Sequence, residues 1–523
     1  MFRSKLFRSV LLVVVATSTI ASAKSIPKID EYVAKVRATY NVPGIAVGII
    51  KDGEVVHMKG YGIADLDRGN KVDEYTLFKI ASNSKAFTAA GLAMQEDQGK
   101  LKLTDKVSQH LSDFKMFDSY ASEQFNIIDL LTHRSGLGRG AGDLMLWPEP
   151  TKFTREQLVH NLRYLKPAYG FREKYAYDNT LYIVAGELSA AVAGSSWEEH
   201  IENSIFKPLG MKHCVAGGVD TTKLTNVVAP HLEADGEVYV DQPNRMRKKT
   251  NLMAAAGGIK CSIHDLLKWV DVQLRMGTTA EGVQLYSEKL ARKMWSPVTP
   301  MGISKSSREL DNTHFRGYAL GWRSSDFLGH YRVQHTGSLS GVRSYIGLFP
   351  DQNLGYIVLI NKSSSTARNI ITRSIAQEFL DIEKTDWFAY YLEQEQKRKA
   401  QRAAQQNIDE GEALPEEVAI KKNRTSRKRL GTYQDQWFGN IHLKRQGKDI
   451  VFTADNLPRV IGNVYSYDEN TWWVKWHNRS FEADSWIRFE RVDGKRKMTM
   501  ARILKDSDWS FSIQDLDFTK VKR

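Results

Sequence analysis

Gly44-Ile45-Ala46-Val47-Gly48-Ile49-Ile50-Lys51-Asp52-Gly53-Glu54-Val55-Val56-His57-Met58-Lys59-Gly60 reads as a β-hairpin. Residues 44–50 are an apolar, β-rich run, Lys51-Asp52-Gly53 is a turn, and Glu54 to Gly60 is the returning strand. Before it, residues 28–40 place Ile29, Tyr32, Val33 and Val36 at helical spacing. After it, Ser84 to Gln98 reads as a helix closed by Gly99, and Ile127 to Leu131 as a short helix stopped at Ser135-Gly136. Far downstream, Ser344 to Phe349 and Gly355 to Ile360 read as two strands around a turn in residues 350–354. Ala367 to Ile382 then reads as an amphipathic helix. The expectation is an α+β fold, in which the first helix and hairpin share one antiparallel sheet with the last strands and helix.

The 523 residues carry 42% hydrophobic and 26% charged side chains, which excludes a wholly disordered chain, collagen and a disulfide-stapled miniprotein. Two cysteines, Cys214 and Cys261, are too few for a zinc ribbon. The net charge of +13 suggests an acidic partner only weakly. Arg3, Lys5 and Arg8 precede the apolar run led by Leu11 to Val15, and Ala21-Ser22-Ala23 is an A-x-A site. This predicts a signal peptide over 1–23, cleaved after Ala23, and a periplasmic or secreted product with no membrane anchor after cleavage. In an oxidising compartment Cys214 and Cys261 could pair, provided their Cα atoms come close.

Composition changes after Asp381. Tyr391 to Gln406 reads as an exposed charged helix and Asp409 to Glu417 is acidic. Six lysines and arginines then crowd residues 421–429. A basic run can bind nucleic acid or anionic lipid, but a solvated linker over 386–429 is the reading adopted, with no nucleic-acid partner. From Leu430 short alternating strands and frequent tryptophans, Trp437, Trp472, Trp473, Trp476, Trp486 and Trp509, predict a small all-β barrel over 430–523.

Three short motifs carry chemistry. Ser82 and Lys85 lie three apart at a helix start, on one face, where the dipole favours a developing alkoxide and disfavours a charged lysine. A partly desolvated Lys85 can then accept the serine proton. The pattern alone is weak: Ser204 and Lys207 repeat it without catalytic meaning, and Ser82 reads equally well as a helix cap. Tyr177-Asp178-Asn179 is the only Y-x-N in the chain. Its tyrosine can serve as base or acid beside a lysine, and its asparagine can orient lysine and substrate; a tyrosine buried in a turn is the plainer alternative. His335-Thr336-Gly337 precedes a strand whose edge could bind an extended chain by β-addition, with Gly337 allowing close backbone approach. The N–H groups of Ser82 and Ser338 could form an oxyanion hole.

Together and in this order, the motifs resemble the serine β-lactamase and penicillin-binding superfamily. The closer resemblance is to the CubicO-type group of class C β-lactamases, D-alanyl-D-alanine carboxypeptidases, D-aminopeptidases and related esterases. Supporting stretches are Asn126 to Leu137, Pro208 to Met211, Ala255 to Lys260 and Tyr318 to Trp322. The resemblance covers about residues 25–382 and implies an all-helical subdomain beside the sheet, within a catalytic domain over 24–385. It implies Ser82 as acylated nucleophile and Lys85 with Tyr177 as the proton-transfer pair. Asn179, His335, Thr336 and Gly337 are implied as substrate-binding. Arg343, six residues after Gly337, could hold a substrate carboxylate. His335 stands where class C β-lactamases carry lysine, as in certain D,D-carboxypeptidases and D-aminopeptidases. Asp178 stands where serine is common, and its side chain is expected to point away.

The tail resembles a domain of unknown function appended to such hydrolases, through Gly431-Thr432-Tyr433, Trp437-Phe438-Gly439, Ala483-Asp484 and Phe511 to Phe518. That implies a lipocalin-like barrel, with its aromatics used chiefly as packed core. No H-E-x-x-H or other metal-ligand set is found, so no metal or cofactor is expected. The expected function is acyl-enzyme hydrolysis of amides or esters, with peptides containing D-residues and derived from the cell wall as leading substrates. Carboxylesterase, β-lactamase and a penicillin-binding sensor are the alternatives.

Overall fold

The structure is a computed structural model that describes residues 25–218, 224–234, 236–242, 252–406, 415–479, 481, 484–503 and 511–521. The signal-peptide reading and most of the acidic segment 409–417 lie outside the described residues.

The hairpin forms as read. Gly44–Lys51 and Glu54–Gly62 pair antiparallel at one end of an eight-stranded sheet. The sheet continues through Leu354–Ile360, Val342–Phe349, His330–Leu339, Arg323–Phe327, Arg316–Tyr318 and Thr299–Pro300. The strand Gly44–Lys51 lies against Leu354–Ile360, so the first and last parts of the catalytic domain do share one sheet. Both of these strands are apolar at nearly every position because helices cover both faces. Pro27–Thr39 and Ser365–Phe379 pack together on one face, and Ile263–Leu274 packs on the other.

A helical body sits beside the sheet. Its central helix, Ser84–Asp97, is buried from Ser84 through Gln95, and small residues such as Ala86, Ala89, Ala90 and Ala93 let neighbours close on every side. It packs on Thr180–Ala193, which ends at Gly194 in the left-handed conformation, φ +67°. Cys214 and Cys261 face each other across two short paired strands and form a disulfide.

The segment read as a linker begins differently. Trp387–Gln406 is a helix docked on the catalytic body: Trp387 is 3% exposed, Arg373 lies 4.6 Å over its ring, and Phe388 packs on Tyr40. Its aromatic first turn, not its charged remainder, decides its placement. Beyond it, eight antiparallel strands from Gly431–Asp435 to Asp517–Lys520 close into a barrel. Trp472 and Trp476 are buried against Phe489, Phe452 and Phe481, so these tryptophans are barrel core. Among the described residues no helix is long and apolar enough to cross a membrane.

Candidate active site

Ser82 sits in a single 3-10 turn, Ala81–Asn83, at the mouth of the central helix. The turn is clamped. Asn83 Nδ2 donates to Ser344 Oγ at 2.8 Å, and Ser344 Oγ donates to the Ile80 carbonyl at 2.6 Å. Ser84 Oγ donates to the Ala81 carbonyl at 2.8 Å. Ala81 itself holds φ +49°, a conformation that costs a residue with a Cβ about 1 kcal/mol and persists because these contacts over-determine it.

One turn on, Lys85 is fully buried. Its Nζ donates to Asn179 Oδ1 at 2.8 Å, to the Ala256 carbonyl at 2.7 Å and to Ser82 Oγ at 3.4 Å. Burial pushes its ammonium down to about 7; the Asp143 carboxylate opposes that shift and Arg323 adds to it. A lysine so poised can take the proton of a serine hydroxyl in its grasp.

Tyr177 lies with its ring 4.9 Å from Lys85 Nζ and lines the same cleft as Ser82. Burial raises its phenol, with Arg323 in partial opposition, so the hydroxyl stays protonated near neutrality. It can relay a proton but does not stand there as a phenolate. The Y-x-N segment is fixed from below by His133, whose Nδ1 accepts from the Asp178 N–H at 3.1 Å and whose ring packs on Tyr177 at 4.2 Å. Asp178 does turn away from the cleft: its carboxylate accepts from the N–H of Thr180 at 2.9 Å at the start of the following helix.

The third motif divides in two. Side chains alternate along a strand, so Thr336 and Ser338 face the cleft, while His335 and Gly337 face the interior and do not line it. Of the residues implied to bind substrate on this strand, the structure places the side chains of Thr336 and Ser338 on the cleft, and His335 and Gly337 behind it. His335 is 0% exposed. Its Nδ1 lies 2.8 Å from the Thr336 carbonyl and must donate; its Nε2 lies 2.9 Å from Tyr318 Oη and accepts. Burial first, then Arg323, hold it well below the usual range, so it is neutral. Gly337 does permit a close approach, but of the protein to itself: a Cβ there would lie 2.4 Å from the Ile80 carbonyl oxygen. Among the described residues, the strand His330–Leu339 has partners on both sides only up to Gln334, and residues 335–339 pair with Val342–Phe349 alone. Their other backbone edge is open to a β-added chain.

Arg343 lines the cleft, but its Nη1 donates to the Leu339 and Val342 carbonyls, each at 2.8 Å. Arg323 is the better-placed cation, and sequence reasoning missed it. It is partly buried beside Tyr177 and Tyr318, at 5.8 and 5.6 Å from their rings, and its Nη1 donates to Thr336 Oγ1 at 3.2 Å. Its Nε has no hydrogen-bond partner among the described residues. Only its cross-strand position opposite Gln334 could have flagged it. Asp143 was also missed; its Oδ2 accepts from Asn179 Nδ2 at 2.9 Å and so fixes which way Asn179 presents its oxygen to Lys85. The second S-x-x-K, at Ser204 and Lys207, lies elsewhere, with Lys207 bonded to Asn203 at the surface.

Ser82, Tyr177, Asn179, Thr336 and Ser338 all line one cleft of about 1620 Å³. Of the described residues, one trio brings potential metal-ligand atoms within 4.8 Å, His213, His264 and Asp265, away from this cleft. The Lys268 ammonium lies 2.9 Å from the Asp265 carboxylate and repels a cation there.

A serine, a desolvated lysine and a tyrosine beside an open strand edge make up the equipment of a serine hydrolase that works through an acyl-enzyme. The chain belongs to the Beta-lactamase family, whose model matches residues 29–378. A second model, a domain of unknown function (DUF3471), matches residues 417–520. The chain is 28% identical over 347 residues to the protein flp of Staphylococcus aureus (strain MW2), covering 63% of this chain and 62% of that one. It thus spans just over three fifths of the length of that relative. It is 25% identical over 393 residues to the unguisins hydrolase ungD' of Aspergillus campestris, covering 72% and 70%. In fold it is similar to the octameric penicillin-binding protein homologue from Pyrococcus abyssi, with TM-score 0.59, 22% identity, and 94% of this chain and 99% of that one covered. It is also similar to the class C beta lactamase from Rhodobacter sphaeroides, with TM-score 0.55, 21% identity, and 68% and 99% covered.

Proposed function

We propose that the protein is an exported hydrolase of peptides that end in D-residues, acting in the manner of a D,D-carboxypeptidase. Ser82 Oγ attacks the scissile carbonyl while neutral Lys85 takes its proton. The backbone N–H groups of Ser82 and Ser338 hold the oxyanion. Tyr177, beside Lys85 and facing the same cleft as Ser82, passes that proton to the leaving amine. Water then attacks the acyl-enzyme by the reverse relay and frees Ser82.

The observation that carries the choice of substrate is Arg323. A guanidinium bonded to Thr336 and lying beside Tyr177 suits the free carboxylate of a departing C-terminal residue. The open edge at 335–339 suits the extended chain on the other side of the scissile bond. Export is supported by the predicted leader and fits the Cys214–Cys261 disulfide. The test is a panel of D-Ala-D-Ala peptides, D-aminoacyl amides, short esters and a cephalosporin. The D-Ala-D-Ala peptides should have the highest kcat/KM; higher values for the D-aminoacyl amides or the cephalosporin would overturn the assignment.

A further inference from the structure

The walls of the cleft are not all built by the catalytic domain. Phe511 and Arg479, both from the barrel, line the same cleft as Ser82. The barrel is pinned beside it by directional contacts. Asn161 Nδ2 donates to the Trp437 carbonyl at 2.8 Å, and the Lys152 N–H donates to the Asn456 carbonyl at 2.8 Å. Arg459 Nη1 donates to the Glu149 carbonyl at 2.7 Å, holding a segment, Trp147 to Glu149, that itself lines the cleft.

Both barrel residues are held in place. Phe511 packs edge-on to Phe481 at 4.4 Å. Arg479 is clamped by the two Asp484 oxygens at 2.9 and 3.0 Å, yet its side chain stays 55% exposed. Arg459 of the barrel and Lys79 of the cleft share Glu149 and Asp241 as charged neighbours, whereas Arg323 has Tyr175, Tyr177 and Tyr318. The cleft also exceeds the roughly 300–1,000 Å³ of sites built for one small molecule. Among the described residues, nine lysines and arginines line it against three glutamates.

We infer that the barrel is part of the substrate-binding apparatus, with Phe511 and Arg479 forming a wall that holds the acyl side of an extended, acidic peptide. Phe511 supplies apolar contact, and Arg479 supplies N–H donors to carbonyl or carboxylate oxygens. This rests on the acyl-enzyme reading above, but not on its choice of leaving group.

The test uses the full chain and two 4-nitrophenyl esters, the acetate and that of acetyl-Glu-Ala-D-Ala, with the glutamine analogue as charge control. In the wild type the glutamate ester should exceed the glutamine one in kcat/KM. The preference for the glutamate ester over the acetate should fall at least tenfold in Arg479→Ala and in Phe511→Ala. Tyr467→Ala, at an exposed barrel position, should keep it. Arg479→Ala decides the matter if Phe511→Ala does not fold. A preference within twofold of wild type in Arg479→Ala, or equal use of glutamate and glutamine esters, overturns the inference. No turnover of either ester by the wild type overturns the acyl-enzyme reading, and this inference with it.

Discussion

Lys85 Nζ lies 3.4 Å from Ser82 Oγ and 2.8 Å from Asn179 Oδ1, with the lysine side chain wholly buried. Placement and protonation follow from the same burial. The charged form loses hydration that three neutral acceptors, Asn179 Oδ1, the Ala256 carbonyl and Ser82 Oγ, only partly replace, so the ammonium is pushed down to about 7.

A rate profile follows from that value. The working form of Lys85 is neutral, so kcat/KM should rise with pH through an acid limb near 7 and then level. Asp143 favours the charged form. Asp143→Asn therefore lowers the lysine further and should move the limb to lower pH, together with some loss of rate from a loosened Asn179. Initial rates on a neutral ester from pH 5 to 9 check both shifts; a limb moving upward in the variant contradicts the account.

Gly337→Ala places a Cβ 2.4 Å from the Ile80 carbonyl oxygen, which is backbone and cannot swing aside. The turn bearing Ser82 must shift by an ångström or so, and misplacement of that size costs on the order of 100-fold in rate. We expect kcat/KM to fall by about that factor, with circular dichroism like that of the wild type. Activity within threefold of wild type would show that the strand does not set the serine.

His335→Lys tests the interior setting of the third motif. His335 is neutral, fully buried and close to Arg323. A lysine there would bury an ammonium facing like charge, at a cost of about 3 kcal/mol or more. Urea denaturation should show a lowered midpoint with an unchanged slope. Unchanged stability would place residue 335 in the cleft.

Arg323→Gln should lower kcat/KM roughly 10- to 100-fold for a peptide ending in free D-Ala-D-Ala, the worth of a charge-assisted hydrogen bond. The same peptide capped as its amide should lose less than threefold. Equal losses would show that Arg323 supports the site without reading a carboxylate.

Much of this was legible in the sequence. The hairpin at 44–60 and the strands near 344–360 were readable because apolar runs bounded by Asp-Gly and Pro-Asp turns are local signals. Ser82, Lys85, Tyr177 and Asn179 were readable as motifs, and they do converge. What escaped depends on partners far along the chain. Arg323 and Asp143 become site residues only through contacts with Thr336 and Asn179. The orientation of His335 depends on which face of its strand meets the interior. The docked helix from Trp387 was masked by its charged composition, although Trp387 and Phe388 were signals that it packs. The approach of the barrel to the cleft has no trace in local sequence at all.

The central claim is that Ser82 becomes covalently acylated with Lys85 as its base. Intact-protein mass spectrometry after brief exposure to a labelled penicillin tests it most directly. The account predicts one adduct per chain, mapped to Ser82, lost in Ser82→Ala, and formed far more slowly in Lys85→Met. An adduct that persists in Ser82→Ala, or none in a folded wild-type protein that hydrolyses its substrates, would contradict it.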